Sequence, residues 1–305
     1  MLPQFPTFKK LELSDKAEVE AHTSKYPPYS DFNFVSMWSW DVNGEMRISE
    51  LNGNLVVRFN DYLTGEPFYS FLGDNEVNDT AEKLLERAKK DGLKEKLGLV
   101  PEISIQKLNR ETFLVSEDRD NFDYIIPTEI FKNYNTKATR AKKKSVKQFL
   151  RNFSPVVRVL NLHDQDTKSN ILKVFDKWSD NKSASSLEVK NELSALERLF
   201  DSGCFSNHLC TGVFVDSELI SFCLSEPLNN DFSSIHFCKA DTSISSGTYA
   251  HVLQENANKL STKNLKFVNI EQDLGIENMR KWKMSHGDHM FLKKYTVEYN
   301  KAWVI

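Results

Sequence analysis

Two stretches carry the clearest run of elements in the chain: residues 236–252, HFCKADTSISSGTYAHV, and residues 268–285, VNIEQDLGIENMRKWKMS. The first reads as the end of an apolar strand followed by a Ser245-Ser246-Gly247-Thr248 turn that opens a helix reaching about Leu260. Leu265, Phe267, Val268 and Ile270 then form a second strand, which runs into Glu271, Asp273 and Gly275 before a helix carrying Arg280, Lys281 and Lys283. In open sheets of this kind ligands gather at the carboxyl ends of strands, where the next helix offers unpaired N–H groups. Acids and bases crowded there admit two readings. Either Asp273 caps the helix and the three bases complement its C-terminal dipole, or these groups do chemistry.

Working outward, the 305 residues suffice for two domains or one large one, and 40% hydrophobic residues can fill a core. Forty basic and 43 acidic residues leave a formal charge of −3, so no global field commits the molecule to nucleic acid or membrane. No apolar run approaches the roughly 20 residues that span a bilayer, and MLPQFPTFKK lacks the core of a signal peptide. A cytoplasmic protein without an integral membrane segment is expected. Cys204, Cys210, Cys223 and Cys238 show neither CxxC nor zinc-finger spacing and read as reduced thiols.

From the N-terminus, residues 5–13 read as a strand, Asp15 with Glu18 as a capping box, and Phe32–Trp40 as an aromatic helix. Alternating residues on either side of Asn52-Gly53 predict a β-hairpin. A third strand is expected at 67–73, a helix capped by Asp79 or Thr80 and ended by Asp91-Gly92, a strand near Ile103 and Ile105, a short helix near Glu111 and a strand at 124–126. Between Ile130 and His163 lie nine basic residues and no acid. Val146, Phe149, Leu150 and Phe153 recur there at helical spacing, so Arg140, Lys142, Lys143, Lys144 and Lys147 are expected on the outer face of an amphipathic helix over about 136–153. That face is either a solvated linker or a landing surface for phosphates. After it, strand, two helices, three strands, helix, strand, helix, strand follow in the order of the first half, which predicts a duplicated domain: 1–130, then 131–305.

This element order resembles the GNAT N-acyltransferase fold. The two quoted stretches, with KYPPYSDFNFVSMWSW near the N-terminus, resemble the DUF2156 family, related to the C-terminal domain of phosphatidylglycerol lysyltransferases. The resemblance implies an α+β (mixed α/β) chain of two tandem GNAT-like domains, similar to the FemXAB peptidyltransferases. Each domain would be a mixed, mostly antiparallel sheet flanked by helices. It also implies an acyltransferase that moves an aminoacyl group from charged tRNA to a lipid or peptide acceptor. An acyl-CoA-dependent acetyltransferase and a non-catalytic binding protein are the alternatives. GNAT proteins grip the CoA pyrophosphate with Arg/Gln-x-x-Gly-x-Gly/Ala. Gly247 fits the middle of that loop, but Ile244 stands where Arg or Gln belongs and Tyr249 where Gly or Ala belongs. Aminoacyl-tRNA is therefore favoured over acyl-CoA as donor, and no other cofactor is expected.

Aminoacyl transfer requires orientation of both partners, stabilisation of an oxyanion and management of one proton. Glu271 or Asp273 is the candidate base or anchor for the donor ammonium, and Arg280 or Lys283 the candidate phosphate or oxyanion group. Lys239, Asp241, Gly247, Tyr249, Asn269 and Lys283 are candidates for donor or acceptor binding. The implied partners are tRNA and, by peripheral contact, anionic lipid; DNA is not expected. His286 and His289 lack the glutamate of HExxH and read as a surface turn, His236 as a satisfied strand residue, and no metal site is expected. No GxSxG, Walker or dinucleotide glycine pattern occurs.

Overall fold

The computed structural model describes residues 1–61, 64–180, 186–228 and 231–300. Two compact units form: Met1–Asp123 with Gln272–Gly275 and the chain from Phe291 on, and Tyr124–Glu271 with Ile276–Met290. The chain runs β1 (Lys9–Lys10), α1 (Lys16–Thr23), α2 (Phe34–Trp40), β2 (Arg47–Leu51), β3 (Asn54–Asn60), β4 (Pro67–Leu72), α3 (Val77–Lys90), β5 (Lys96–Pro101), α4 (Glu102–Ile105) and β6 (Phe113–Glu117). It continues through β7 (Asp123–Pro127), α5 (Thr128–Asn133), α6 (Arg140–Asn152), β8 (Val156–Val159), α7 (Gln165–Asp180), α8 (Ser186–Ser202), β9 (Leu209–Val215), β10 (Glu218–Pro227) and β11 (Phe232–Ala240). The last elements are α9 (Thr248–Thr262), β12 (Phe267–Asn269), α10 (Glu277–Met284), β13 (Met290–Leu292) and β14 (Lys294–Tyr299).

The duplication expected from the sequence is visible in the sheets. The first has the order β1-β2-β3-β4-β5-β14-β6 and the second β8-β9-β10-β11-β12-β7-β13. The orders match place for place, and the sixth place in each is filled by a strand from the other half of the sequence. The first sheet is antiparallel but for one pair, β4 with β5, and in the second the parallel pair β11 with β12 lies between the antiparallel run β8-β9-β10-β11 and the antiparallel pair β12-β7. Each parallel pair is linked by a helix, α3 or α9, as a parallel connection demands. The two hairpins at equivalent places turn on consecutive left-handed residues: Asn52 and Gly53 at φ 56° and 76°, Asp216 and Ser217 at 49° and 69°. Where the sequence suggests a single cut at 130/131, the units interleave because β7 and β14 each serve the other half's sheet.

Several local expectations change. The capping box joins Glu12 and Asp15 rather than Asp15 and Glu18, and the expected strand over 5–13 shrinks to Lys9–Lys10. The strand sought near Ile103 and Ile105 lies earlier, at Lys96–Pro101, and residues 102–105 are helical. Gly98 breaks its apolar pattern, and a side chain there would crowd the Phe68 ring at 3.0 Å. No helix forms at Glu111; that stretch leads directly into β6.

In the first unit, Val77, Ala81, Leu84, Leu85 and Ala88 of α3 bury one face against the sheet. The same unit holds a buried ionic cluster. Lys294 of β14 is fully buried, 2.9 Å from Asp123 and paired with Asp31, while Ser30 donates its N–H to Asp123 at 2.8 Å. Burial pushes the Asp31 carboxyl up to about 6, against the attraction of Lys294. Removing the single cation from two buried acids strands charge, at a cost of about 3–5 kcal/mol. Lys294→Met is expected to lose stability on that scale in denaturant unfolding and Asp31→Asn distinctly less. A Lys294→Met loss below about 1 kcal/mol would show that the cluster is not held by that charge.

Candidate functional site

The second unit contains the place where its parallel strands part. β11 and β12 pair over three rungs only, Phe232–Phe267, Ser233–Val268 and Ser234–Asn269. β12 then ends while β11 continues to Ala240. On the other edge of β11 the register slips: Leu224 faces Phe237 and Ser225 faces Ile235, which leaves His236 without a cross-strand partner. A bulge of this kind turns a side chain out of the alternating pattern, and bulges recur beside functional sites.

Glu271, just past the end of β12, is held in an unusual conformation by its surroundings. Its φ of 59° lies in the left-handed region, which costs a non-glycine residue about 1 kcal/mol or more unless neighbours impose it. Here they do. The Glu271 N–H donates to Asn269 Oδ1 at 2.7 Å, and its carbonyl accepts the Tyr124 N–H at 3.2 Å and the Lys283 ammonium at 3.0 Å. Lys283 is buried and also donates to the Ile270 carbonyl. Lys283 and Asn269, both candidates for ligand binding, are thus the clamp that shapes the end of the strand.

The clamp leaves the Glu271 carboxylate 20% exposed, with Oε1 3.8 Å from His236 Nδ1. The other ring nitrogen, Nε2, is 3.1 Å from Glu226 Oε2. Burial opposes a charge on His236, but the neighbouring carboxylates of Glu226 and Glu271 outweigh that and raise its pKa to about 9. The sequence reading of His236 as a satisfied strand residue holds. What it missed is Glu226, buried on β10, which no spacing connects to His236 before the strand register is known.

The other candidates lie elsewhere. Asp273 belongs to the first unit, where it is fully buried, 3.3 Å from Arg119 and accepting the Gly275 N–H at 2.9 Å. It shapes the turn and does not cap α10, whose N-cap is Ile276. Arg280 is half-buried on α10. Lys239 pairs with Glu192 at 2.5 Å and sits 3.7 Å over the Trp178 ring. Asp241 accepts the Ser243 N–H at 3.0 Å and lies 3.8 Å from Lys177. Both have structural partners. His286 is not on a surface turn: it is fully buried, its ring 4.7 Å from Trp282 and 4.9 Å from Phe131.

At the start of α9, Gly247 has a packing reason to be glycine. A methyl group there would overlap the Ser145 carbonyl oxygen and lie 2.9 Å from Phe149 Cβ, so the backbone of α6 rests directly on the loop. The Gly247 N–H is taken by Ser245 Oγ at 3.1 Å. Beside this contact a cavity of about 270 Å³ is lined by Lys142, Ser145, Ser246, Tyr249, Leu253 and Trp282 among others. Lys142 turns inward to Ser285, and burial lowers its pKa. Arg140, Lys143, Lys144 and Lys147 are exposed, and among the described residues none of the four has a carboxylate partner.

Fold and site together define a chain of two mixed α/β units, with an acid–base cluster where the central strands of the second unit part. The chain belongs to the family described as phosphatidylglycerol lysyltransferase, C-terminal, which matches residues 24–298. No curated protein matches it. Among solved structures it is similar to a conserved protein of unknown function from Bacteroides thetaiotaomicron, with 24% identity and a TM-score of 0.81 over 98% of this chain and 100% of that one. It is also similar to L-PGS from Bacillus licheniformis, with 11% identity and a TM-score of 0.60 over 97% and 95%. A C-terminal DUF2156 domain from Agrobacterium fabrum matches at 11% identity and 0.60 over 95% and 93%. These likenesses concern the fold. No helix of the described residues is long and apolar enough to cross a membrane.

Two histidines in the second unit give a pH test. Burial lowers His251 to about 4, and burial with the nearby Lys142 charge lowers His286 to about 3. A histidine depressed on folding contributes stability that is full above its unfolded value near 6.5 and is lost as pH falls through the folded value. Unfolding free energy is expected to decline from about pH 6.5 toward 4, with a shallower decline in His251→Leu. Identical slopes for variant and parent would remove His251 from the account.

Proposed function

We propose that the chain is an aminoacyltransferase that takes its acyl group from charged tRNA rather than from acyl-CoA and passes it to a lipid or peptide acceptor. The observation that carries this reading is the packing of α6 onto Gly247, which uses up the loop an acyl-CoA pyrophosphate would need. The exposed cations of α6 would instead meet tRNA phosphates. The partly exposed Glu271 carboxylate, fixed by Lys283 and Asn269, would take the proton of the attacking nucleophile or anchor the donor ammonium. His236 and Glu226 stand behind it as positioning residues. An anionic lipid acceptor would be reached by peripheral contact.

The experiment incubates the protein with a set of charged tRNAs and tracks labelled amino acid into lipid, peptide and protein fractions. Transfer with at least one tRNA is expected, falling about 10²–10⁴-fold in Glu271→Gln. No transfer with any charged tRNA, together with thermal stabilisation by acetyl-CoA, would replace this reading by the acetyltransferase one. Binding of tRNA is expected to weaken with salt, with a log–log slope that shrinks by about 0.7–0.9 for each phosphate contact removed, as in Lys143→Ala or Lys144→Ala. An unchanged slope would take α6 out of the interface.

A further inference from the structure

The cluster around His236 has a second property that acyl transfer does not require. His208, immediately before β9, brings its imidazole to the same place, with ring centroids 5.7 Å from His236. One ligand atom each from His208, Glu226 and His236 lies within 4.8 Å of the others. A tetrahedral ion with bonds of about 2.0–2.2 Å places its donors about 3.3–3.6 Å apart. The pair of His236 Nε2 and Glu226 Oε2, at 3.1 Å, is already near that separation, and an ion entering between them displaces the Nε2 proton to solvent. His208, half-buried just before its strand, has to move by about 1–1.5 Å to reach the spacing of such ligands.

Glu271 supplies an independent pointer. A histidine that binds a metal through one ring nitrogen usually gives the other N–H to a carboxylate, which fixes the tautomer and the ring orientation. With Nε2 facing Glu226, His236 Nδ1 faces Glu271 Oε1 at 3.8 Å. Two imidazoles and one carboxylate select a first-row transition ion over calcium or magnesium, which prefer all-oxygen sites. All four residues belong to the second unit.

We propose that His208, Glu226 and His236 form a zinc-class metal site with a fourth position left for water or an acceptor, and that Glu271 orients His236 from behind. Binding requires no substrate, so this proposal and the aminoacyl-transfer reading fail separately. The test treats the full chain with chelator, removes the chelator and titrates with Zn²⁺ by calorimetry, with thermal unfolding alongside. One equivalent is expected to bind with submicromolar Kd and to raise the midpoint. His208→Ala is expected to weaken binding at least 100-fold, and Glu271→Gln about 10–100-fold, each with an unchanged circular dichroism spectrum. Co²⁺ should give tetrahedral d–d bands without a thiolate charge-transfer band, and Cys204→Ser should bind as the parent does. Absence of stoichiometric binding at 10 µM, equal affinity in His208→Ala, or loss of binding in Cys204→Ser would overturn the site.

Discussion

A single buried ammonium shapes the part of the molecule on which the proposed chemistry rests. Lys283 of α10 reaches the carbonyls of Ile270 and Glu271 just where β12 gives out. A cation is expensive to bury, and here backbone carbonyls beyond the last rung of the ladder offset that cost. The Ile270 carbonyl takes its hydrogen bond from Lys283 at the strand end, and the Glu271 carbonyl shares Lys283 with the Tyr124 N–H. With Asn269 and Tyr124 completing the clamp, Glu271 is forced into a left-handed conformation it would not choose. Its carboxylate then faces a histidine that a bulge in β11 has turned the same way. Strand parting, strained backbone and charged cluster are thus consequences of one another.

The exchange of β7 and β14 between the sheets bears on how the chain folds. β14 is not an edge addition; it lies between β5 and β6 and pairs with both. The first sheet is therefore complete only when residues 294–299 have joined it, at a sequence separation of nearly two hundred residues from β5. Such non-local pairings slow folding because loop closure precedes the contacts that reward it. The buried cluster of Lys294, Asp31 and Asp123 adds a polar lock to that late strand, and a misplaced register would leave its charges unpaired.

Much of the fold was legible in the sequence because it is written locally. Asn52-Gly53 announced its hairpin and α6 its amphipathic face, and the repeated element order announced the duplication. Partner identity was not legible. Lys142 and Lys283 look like surface cations in sequence, yet both turn inward to oxygen atoms more than ten residues away. Asp273 is two residues from Glu271 but belongs to the other unit, a distinction that sequence spacing does not carry. His208, Glu226 and His236 are brought together only by the register of three strands and a one-residue slip, which hydropathy patterns do not encode.

The central claim is that the donor's aminoacyl end lies at the parting of β11 and β12 against Glu271. The direct measurement is a crystal structure with a non-hydrolysable amide analogue of the aminoacylated 3′ terminus of tRNA. The account predicts the analogue's ammonium or carbonyl group within about 2.6–3.2 Å of a Glu271 oxygen or of a water held by it. An analogue bound elsewhere, with the Glu271 carboxylate untouched, would contradict it.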